Sequence, residues 1–128
     1  VEKIVFTLPN ESTYFNFEKV SKRKYLDIAS VNTAIKVEVT NDIIKSVFIS
    51  AGGVSPIPLF LEKISNFLLG KPVDTNVLLD ALDIAQNELS PIDDIRGSAE
   101  YKGLLLIQLL KAHFIKLFPN KIIAEELV

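Results

Sequence analysis

The residues best suited to chemistry lie in one basic stretch, Lys19 to Lys24, which is followed by a single acid, Asp27. This stretch carries four positive charges within six residues, although the net charge of the chain is only -2. Like charges at this spacing repel one another unless water or an anionic partner lies beside them. The stretch is therefore either a solvated loop that enters a strand or a strip that meets a phosphate-bearing cofactor or another polypeptide. The pattern alone leaves both interpretations open.

A second polar cluster, with the sequence DDIRGS, begins at Asp93 and precedes the longest predicted helix. Its paired carboxylates could act as an acid–base couple or bind a hard metal ion. Carboxylates before a helix also stabilise its positive end, and Arg96 is close enough in sequence to pair with Asp93 or Asp94. We interpret the cluster as a structural turn, in which Gly97 permits a tight entry and Ser98 caps the helix.

Two other features are weaker candidates for a site. The pair Gly52-Gly53 lacks the further glycines and the immediate helix of a phosphate loop, so we interpret it as a turn that needs unusual φ angles. His113 is the only histidine and falls on an apolar helix, so a packed or surface role is predicted rather than metal binding. The chain has no cysteine, which excludes disulfides, thiolate zinc sites and cysteine-ligated iron–sulfur clusters within it.

Length and composition limit the class of protein. The 128 residues, 48% hydrophobic and 23% charged, predict one folded domain over residues 1–128. The near-neutral charge argues against a nucleic-acid binder, and the longest apolar run, LLLI from Leu104, is too short to span a membrane. The lack of cysteine fits a reducing compartment, so a cytoplasmic location is expected. Because the chain begins at Val1 and contains no methionine, we expect a fragment or a processed piece.

Alternating hydrophobicity predicts strands in the first part of the chain. The segments are a leading strand at 4–8 within residues 1–13, an edge strand at 14–17, and a hairpin of 31–39 and 43–51 joined by a turn at Asn41-Asp42. The strand at 43–51 is apolar on both faces and therefore needs cover on both. Helices would cover one face. The other would be covered either by a part of the protein missing from this chain or by an edge strand.

Helical spacing dominates after residue 53. The pattern predicts helices that run from Ser55-Pro56 to Gly70, from Asp74 or Thr75 to Ser90, and from Ser98 to Phe118, with a short helical tail at 122–128. Strands followed by helices predict an α+β fold, a two-layer sandwich in which an antiparallel sheet of three to four strands is followed by three helices.

Four segments of the chain carry a family resemblance: residues 21–32, 51–56, 69–72 and 91–102. Taken in order, they resemble the C-terminal domain of the FAD-binding (medium) subunit of molybdenum hydroxylases. This family includes the carbon monoxide dehydrogenase flavoproteins and the xanthine dehydrogenases. The resemblance covers about residues 14–118 and implies the same α+β sandwich.

The resemblance also implies a role in electron transfer from a molybdenum centre, through iron–sulfur clusters, to FAD and then to an acceptor. The domain would pack on the FAD-binding domain of the same subunit and wall the flavin pocket, with molybdenum and iron–sulfur subunits as further partners. In the family, the lysine that matches Lys19 lies beside FAD and the loop that matches 21–27 borders the flavin ring, which makes Lys19, Arg23 and Asp27 the predicted cofactor-binding residues. A cation there would stabilise the negative charge that reduction places on the flavin.

The chain departs from the family pattern in two ways. It lacks the glycine-rich pyrophosphate loop, so the isolated chain is expected neither to hold FAD nor to be catalytic by itself. Xanthine oxidases often have a second acid where this chain has Leu26, which leaves the electron acceptor open. Two other functions compete with the flavoprotein role: a stand-alone interaction or dimerisation module with the same fold and no cofactor, and a small enzyme that uses Asp93 and Asp94.

Overall fold

The computed structural model describes residues 1–127 as an antiparallel sheet with helices packed on one face. The strands are β1 (Thr13–Val20), β2 (Val31–Thr40), β3 (Ile43–Gly52) and β4 (Leu59–Phe60). The helices are α1 (Glu62–Leu68), α2 (Thr75–Gln86) and α3 (Ala99–Leu117), and a 3-10 helix follows at Ala124–Leu127. The predicted α+β fold, with strands first and three helices after, is confirmed.

The strands lie in the order β1-β2-β3-β4, and each pairs with its neighbour in the antiparallel sense. Asn41 and Asp42 form the β2–β3 turn with φ angles of 52° and 61°, as their tolerance of the left-handed region predicts. Alternate residues of β2 are fully buried on the face that the helices cover, among them Ile35 and Val37. Helix α3 packs on β1 and β2, while α1 packs on β3.

The predicted leading strand is wrong. Residues 1–10 form no strand, and the apolar side chains of Ile4, Phe6 and Leu8 are exposed. A short strand is stable only beside a partner, and Pro9-Asn10 ends the run before it can continue into β1. A turn follows instead, in which the Thr13 amide donates to the Asn10 carbonyl at 3.0 Å.

The first helix begins at Glu62 rather than at Pro56, and its N-cap residue is Leu61 rather than Ser55. Pro58 disfavours the helical region for the residue before it, so the local helix-start signal at Pro56 does not propagate. The chain stays extended instead, and Leu59 pairs with Ala51 of β3.

Helix α2 starts as predicted, with the Asp74 side chain accepting from the Asn76 amide at 2.8 Å. It ends at Gln86 rather than at Ser90. Beyond its end, the Glu88 carboxylate accepts from the Lys63 amide at 2.8 Å, in the first turn of α1. Glu88 thus satisfies a free amide at the start of α1, which gives a reason for the early end of α2. Within residues 1–127, no helix has the length and apolar character needed to cross a bilayer.

Candidate functional site

Residues 21–29 form a loop between β1 and β2, called here the basic loop. Its neck is closed by the Ser30 amide, which donates to the Val20 carbonyl at 2.8 Å. The Asp27 carboxylate organises its interior, because it accepts from the amides of Arg23 at 2.8 Å and Ile28 at 3.0 Å. The Arg23 amide, followed by the charge of its guanidinium, lowers the pKa of Asp27. Asp27 is therefore an ionised anchor of the loop.

The structure brings the three residues predicted to bind the cofactor together. Lys19 extends from β1 and donates through Nζ to the Asp27 carbonyl at 2.5 Å. The Arg23 guanidinium lies 3.5 Å from Asp27 Oδ1 and donates to the Leu26 carbonyl at 3.0 Å. Leu26 adopts a φ of 49°, in the left-handed region, at the tip of the loop. Two cations are thus held beside one acid, and the part they play toward a cofactor stays a prediction.

Residues 93–98 form a tight turn before α3, called here the acidic turn. Asp94 accepts from the Arg96 amide at 2.8 Å and from its guanidinium at 2.9 Å. Asp93 does not pair with Arg96 but accepts from the Ala99 amide at 2.6 Å. Ser98 is the N-cap of α3, and its hydroxyl accepts from the Tyr101 amide at 3.2 Å.

Lys102, in the first turn of α3, binds the acidic turn through its side chain. The sequence analysis did not identify this residue. Its side chain is buried, with Nζ 2.9 Å from Asp94 Oδ1 and 2.7 Å from the Ile92 carbonyl. The hydrogen bond from Lys102, then the Arg96 amide, lowers the pKa of Asp94 to about 2. One feature of the sequence does indicate that Lys102 is buried. It lies four residues before Leu106, on the side of α3 that faces the core.

The basic loop and the acidic turn meet. Lys22 Nζ donates to the Ile95 carbonyl at 2.6 Å across 73 residues of sequence, and the Ser30 hydroxyl donates to the Arg96 carbonyl at 3.0 Å. Between them lies an open cleft of about 490 Å³, lined by Lys22, Asp27, Ile28, Ile95 and Arg96.

The chemistry of this cleft favours binding over proton transfer. Ile95 lines the cleft with 87% of its surface exposed, and Leu26, outside the cleft at the tip of the basic loop, is 96% exposed. The backbone carbonyls of these two residues accept from Lys22 and Arg23, respectively. A carboxylate with the low pKa of Asp94 is a weak base at neutral pH, which disfavours an acid–base role for the Asp93-Asp94 pair. The described residues contain no cluster of ligands that could hold a metal ion. Apolar tips beside fixed cations suit a planar, partly apolar and anionic ligand.

His113 is buried in the layer between α3 and the sheet, where it is a structural residue. The Asn16 amide nitrogen donates to Glu18 Oε1 at 2.7 Å and to His113 Nδ1 at 2.8 Å. Because Nδ1 accepts, Nε2 carries the proton and donates to the Thr33 hydroxyl at 2.6 Å. Burial lowers the pKa of His113 to about 4, so the ring is neutral at physiological pH.

Comparison with known proteins identifies the architecture. The family model described as the CO dehydrogenase flavoprotein C-terminal domain matches residues 16–117. The carbon monoxide dehydrogenase medium chain of Hydrogenophaga pseudoflava is 30% identical over 101 residues, which are 79% of this chain and 35% of that protein.

Solved structures show the same fold. A carbon monoxide dehydrogenase from Hydrogenophaga pseudoflava superposes with a TM-score of 0.79 at 24% identity, and quinoline 2-oxidoreductase from Pseudomonas putida 86 with a TM-score of 0.73 at 24% identity. In both comparisons the match covers 86% of this chain and 38% of the other.

The chain is therefore a domain of the kind found in the flavoprotein subunit of CO dehydrogenase-type molybdenum hydroxylases. It belongs to the CO dehydrogenase flavoprotein C-terminal domain family. It spans about a third of the length of the curated relative that it matches.

The residues present fit one side of a flavin rather than the whole of FAD. The exposed aliphatic tips of Leu26 and Ile95 could contact a ring system, while the cations of the basic loop could face its negative charge. A pyrophosphate needs glycine-rich backbone at a helix start. The chain contains only five glycines. At the start of α3, the Ala99 amide already donates to the Asp93 carboxylate, so this amide is not free to bind a phosphate.

Proposed function

We propose that this domain packs on the FAD-binding domain of a molybdenum hydroxylase flavoprotein subunit and walls its flavin pocket. The wall would serve electron transfer from iron–sulfur clusters to FAD, as in the xanthine dehydrogenase and carbon monoxide dehydrogenase type. The observation that carries the proposal is the 2.6 Å bond from Lys22 to the Ile95 carbonyl. It fixes the basic loop, which contains Arg23 and Asp27, against the acidic turn, and Lys19 of β1 is bound to the same loop through the Asp27 carbonyl.

Each residue would contribute a defined part. FAD, when bound, supplies the electron-accepting ring. Lys19 and Arg23 would hold positive charge near that ring, and Asp27 would fix both cations through the loop backbone. Because these cations are already positioned by hydrogen bonds, little reorganisation would accompany reduction. Molybdenum and iron–sulfur subunits would be the partners of this domain. The location would be the cytoplasm, a reducing compartment that the lack of cysteine favours.

The rival function is an interaction or dimerisation module without a cofactor. The observation that favours it is the apolar outer face of the sheet, where Phe15 and Phe48 are more than half exposed. Such a face fits a protein partner whether or not a flavin is present. A neighbouring coding segment with a glycine-rich FAD-binding domain would favour the flavoprotein role.

The direct test is purification of the chain from its native source with its partners. Flavin, iron and molybdenum should be assayed on the purified complex. The proposal predicts that all three are present and that flavin is lost when the chain is separated from its partners. A complex that contains this chain but no flavin would contradict it.

A further inference from the structure

The outer face of the sheet, opposite the helices, carries four exposed aromatic side chains. Phe15, Phe17, Phe48 and Phe60 have 65%, 51%, 54% and 47% of their surface exposed. We call this surface the aromatic face. Water-exposed aromatic side chains clustered on one sheet are costly, and such patches mark surfaces that another molecule covers.

The strand register places these side chains in two adjacent rows. Phe15 pairs with Lys36, which pairs with Phe48. In the next row Phe17 lies opposite Ala34, and Phe60 lies opposite Ser50 on the other side of β3. Ala34 and Ser50 are small, and a shallow groove of about 200 Å³ lies over them between Phe15, Phe48 and Phe60.

The sequence analysis expected the second apolar face of β3 to be covered either by an edge strand or by a part of the protein missing from this chain. The edge strand β4 does not cover it. Strand β4 pairs beside β3 rather than over it, so the rings of Phe48 and Phe60 lie 6.2 Å apart and both stay half exposed. The leading segment also approaches without covering the face: an apolar groove of about 440 Å³ separates Phe6 and Pro9 from Phe15.

The aromatic face is continuous with the candidate flavin-facing site. Lys19 follows Phe15 and Phe17 at a spacing of two on β1, so it leaves the same face of the sheet. It pairs with Asn32, one row beyond the row that contains Phe17. A protein domain that brings a ligand to Lys19 from this side of the sheet would therefore also cover Phe17 and the side chains next to it.

We infer that the aromatic face is the surface on which the FAD-holding part of the flavoprotein subunit docks, through an apolar surface of its own. The inference rests on the proposed function, because it is the expected position of the flavin at Lys19 that selects this occupant. The length of the curated relative is consistent with such a partner. The match covers 35% of that medium chain, so most of a subunit of this kind lies outside the segment that this chain matches.

Cysteine labelling tests the inference, since the chain has no cysteine of its own. Phe17→Cys and Phe48→Cys would be made in the flavoprotein subunit, with Asp80→Cys on the exposed side of α2 as the matched control. Maleimide labelling would be followed by mass spectrometry on peptides of this chain, in the native subunit and after unfolding in urea. We expect the first two positions to be protected by about tenfold or more in the native subunit, and the control by much less.

Hydroxyl-radical footprinting of the unmutated subunit covers the case in which a cysteine variant fails to assemble, and it should show Phe15 and Phe48 protected. If the purified subunit holds flavin but positions 17 and 48 label as fast as position 80, the docking inference is wrong while the proposed function stands. If the chain purifies without flavin as a concentration-dependent dimer with the same two positions protected, a second copy is the occupant. That result would overturn the inference and the proposed function together.

Discussion

Lys102 Nζ lies 2.9 Å from Asp94 Oδ1, and this ion pair between a buried lysine and a partly exposed aspartate fixes the acidic turn to the first turn of α3. The lysine side chain is 2% exposed, whereas that of Asp94 is 22% exposed and shared with Arg96. A buried ammonium without its partner is costly, so the pair constrains where the turn can sit. Because the Ile95 carbonyl in that turn accepts from Lys22, the constraint extends to the basic loop.

The pair predicts an asymmetry between two substitutions. Asp94→Asn should destabilise the domain more than Lys102→Met, because the first leaves a buried charge unpaired while the second replaces it with an apolar side chain of similar length. Urea unfolding midpoints of the two variants and of the double variant would measure the difference. Equal midpoints for the two single variants would indicate that Lys102 is not held as a buried cation.

Gly53 is predicted to be indispensable at the neck of the basic loop. Its φ is 87°, and a Cβ there would lie 2.2 Å from the Ser30 carbonyl oxygen. Gly53→Ala should therefore cost about 2 kcal/mol or more, as strain and a backbone clash add. Gly70→Ala is the matched control, since its φ of 77° is similar but nothing lies within 4 Å of the new Cβ. A loss of only about 1 kcal/mol is expected there.

Thermal unfolding of both glycine variants would give these values. The same loss in both would mean that Ser30 moves away freely and that the neck of the loop is not a fixed structure.

Because His113 is buried, we predict that the free energy of unfolding falls as the pH is lowered from 6.5 to 5. Its folded-state pKa is depressed to about 4 from 6.5, so the unfolded chain takes up the proton first and acid favours unfolding throughout that window. The expected loss is about 2 kcal/mol by pH 5, and it should level off once the pH falls below the folded-state pKa. This window lies above the ordinary titration of the carboxylates.

Chemical unfolding at pH 7, 6 and 5 would measure the effect, with His113→Gln as the comparison. The variant should lose stability less steeply with falling pH, whatever its stability at pH 7. Parallel pH profiles for the variant and the unmutated chain would contradict a neutral, buried imidazole.

The sequence predicted those parts of the fold that local pattern controls. Alternation specified the β2–β3 hairpin, and Asn41-Asp42 specified its turn, since both signals lie within a few residues of the structure they produce. Helix α3 followed from its apolar stripe and from the Ser98 cap. The family resemblance, which four ordered segments carried, was confirmed over residues 16–117.

The remainder depended on contacts between residues far apart in sequence. The helix-start signal at Pro56 failed because Leu59 finds a partner in β3, and a local pattern does not show that competition. The hydrogen bond from Lys22 to the Ile95 carbonyl joins two segments that the sequence analysis treated as separate candidate sites. Lys102 was missed because a charged residue is expected at the surface unless its partner is known.

The measurement that tests the account most directly is the flavin potential of the assembled flavoprotein with Lys19→Ala. A cation within about 4 Å of the reduced flavin would contribute on the order of 1–4 kcal/mol, and more at low salt. Lys24→Ala is the matched control, because it removes one positive charge from the basic loop, five residues from Lys19, at a side chain that lies over Tyr25. We predict a lower flavin midpoint potential or weaker flavin retention for Lys19→Ala than for Lys24→Ala. Flavin content, potential and turnover equal to those of the unmutated enzyme in both variants would contradict a flavin-facing basic loop.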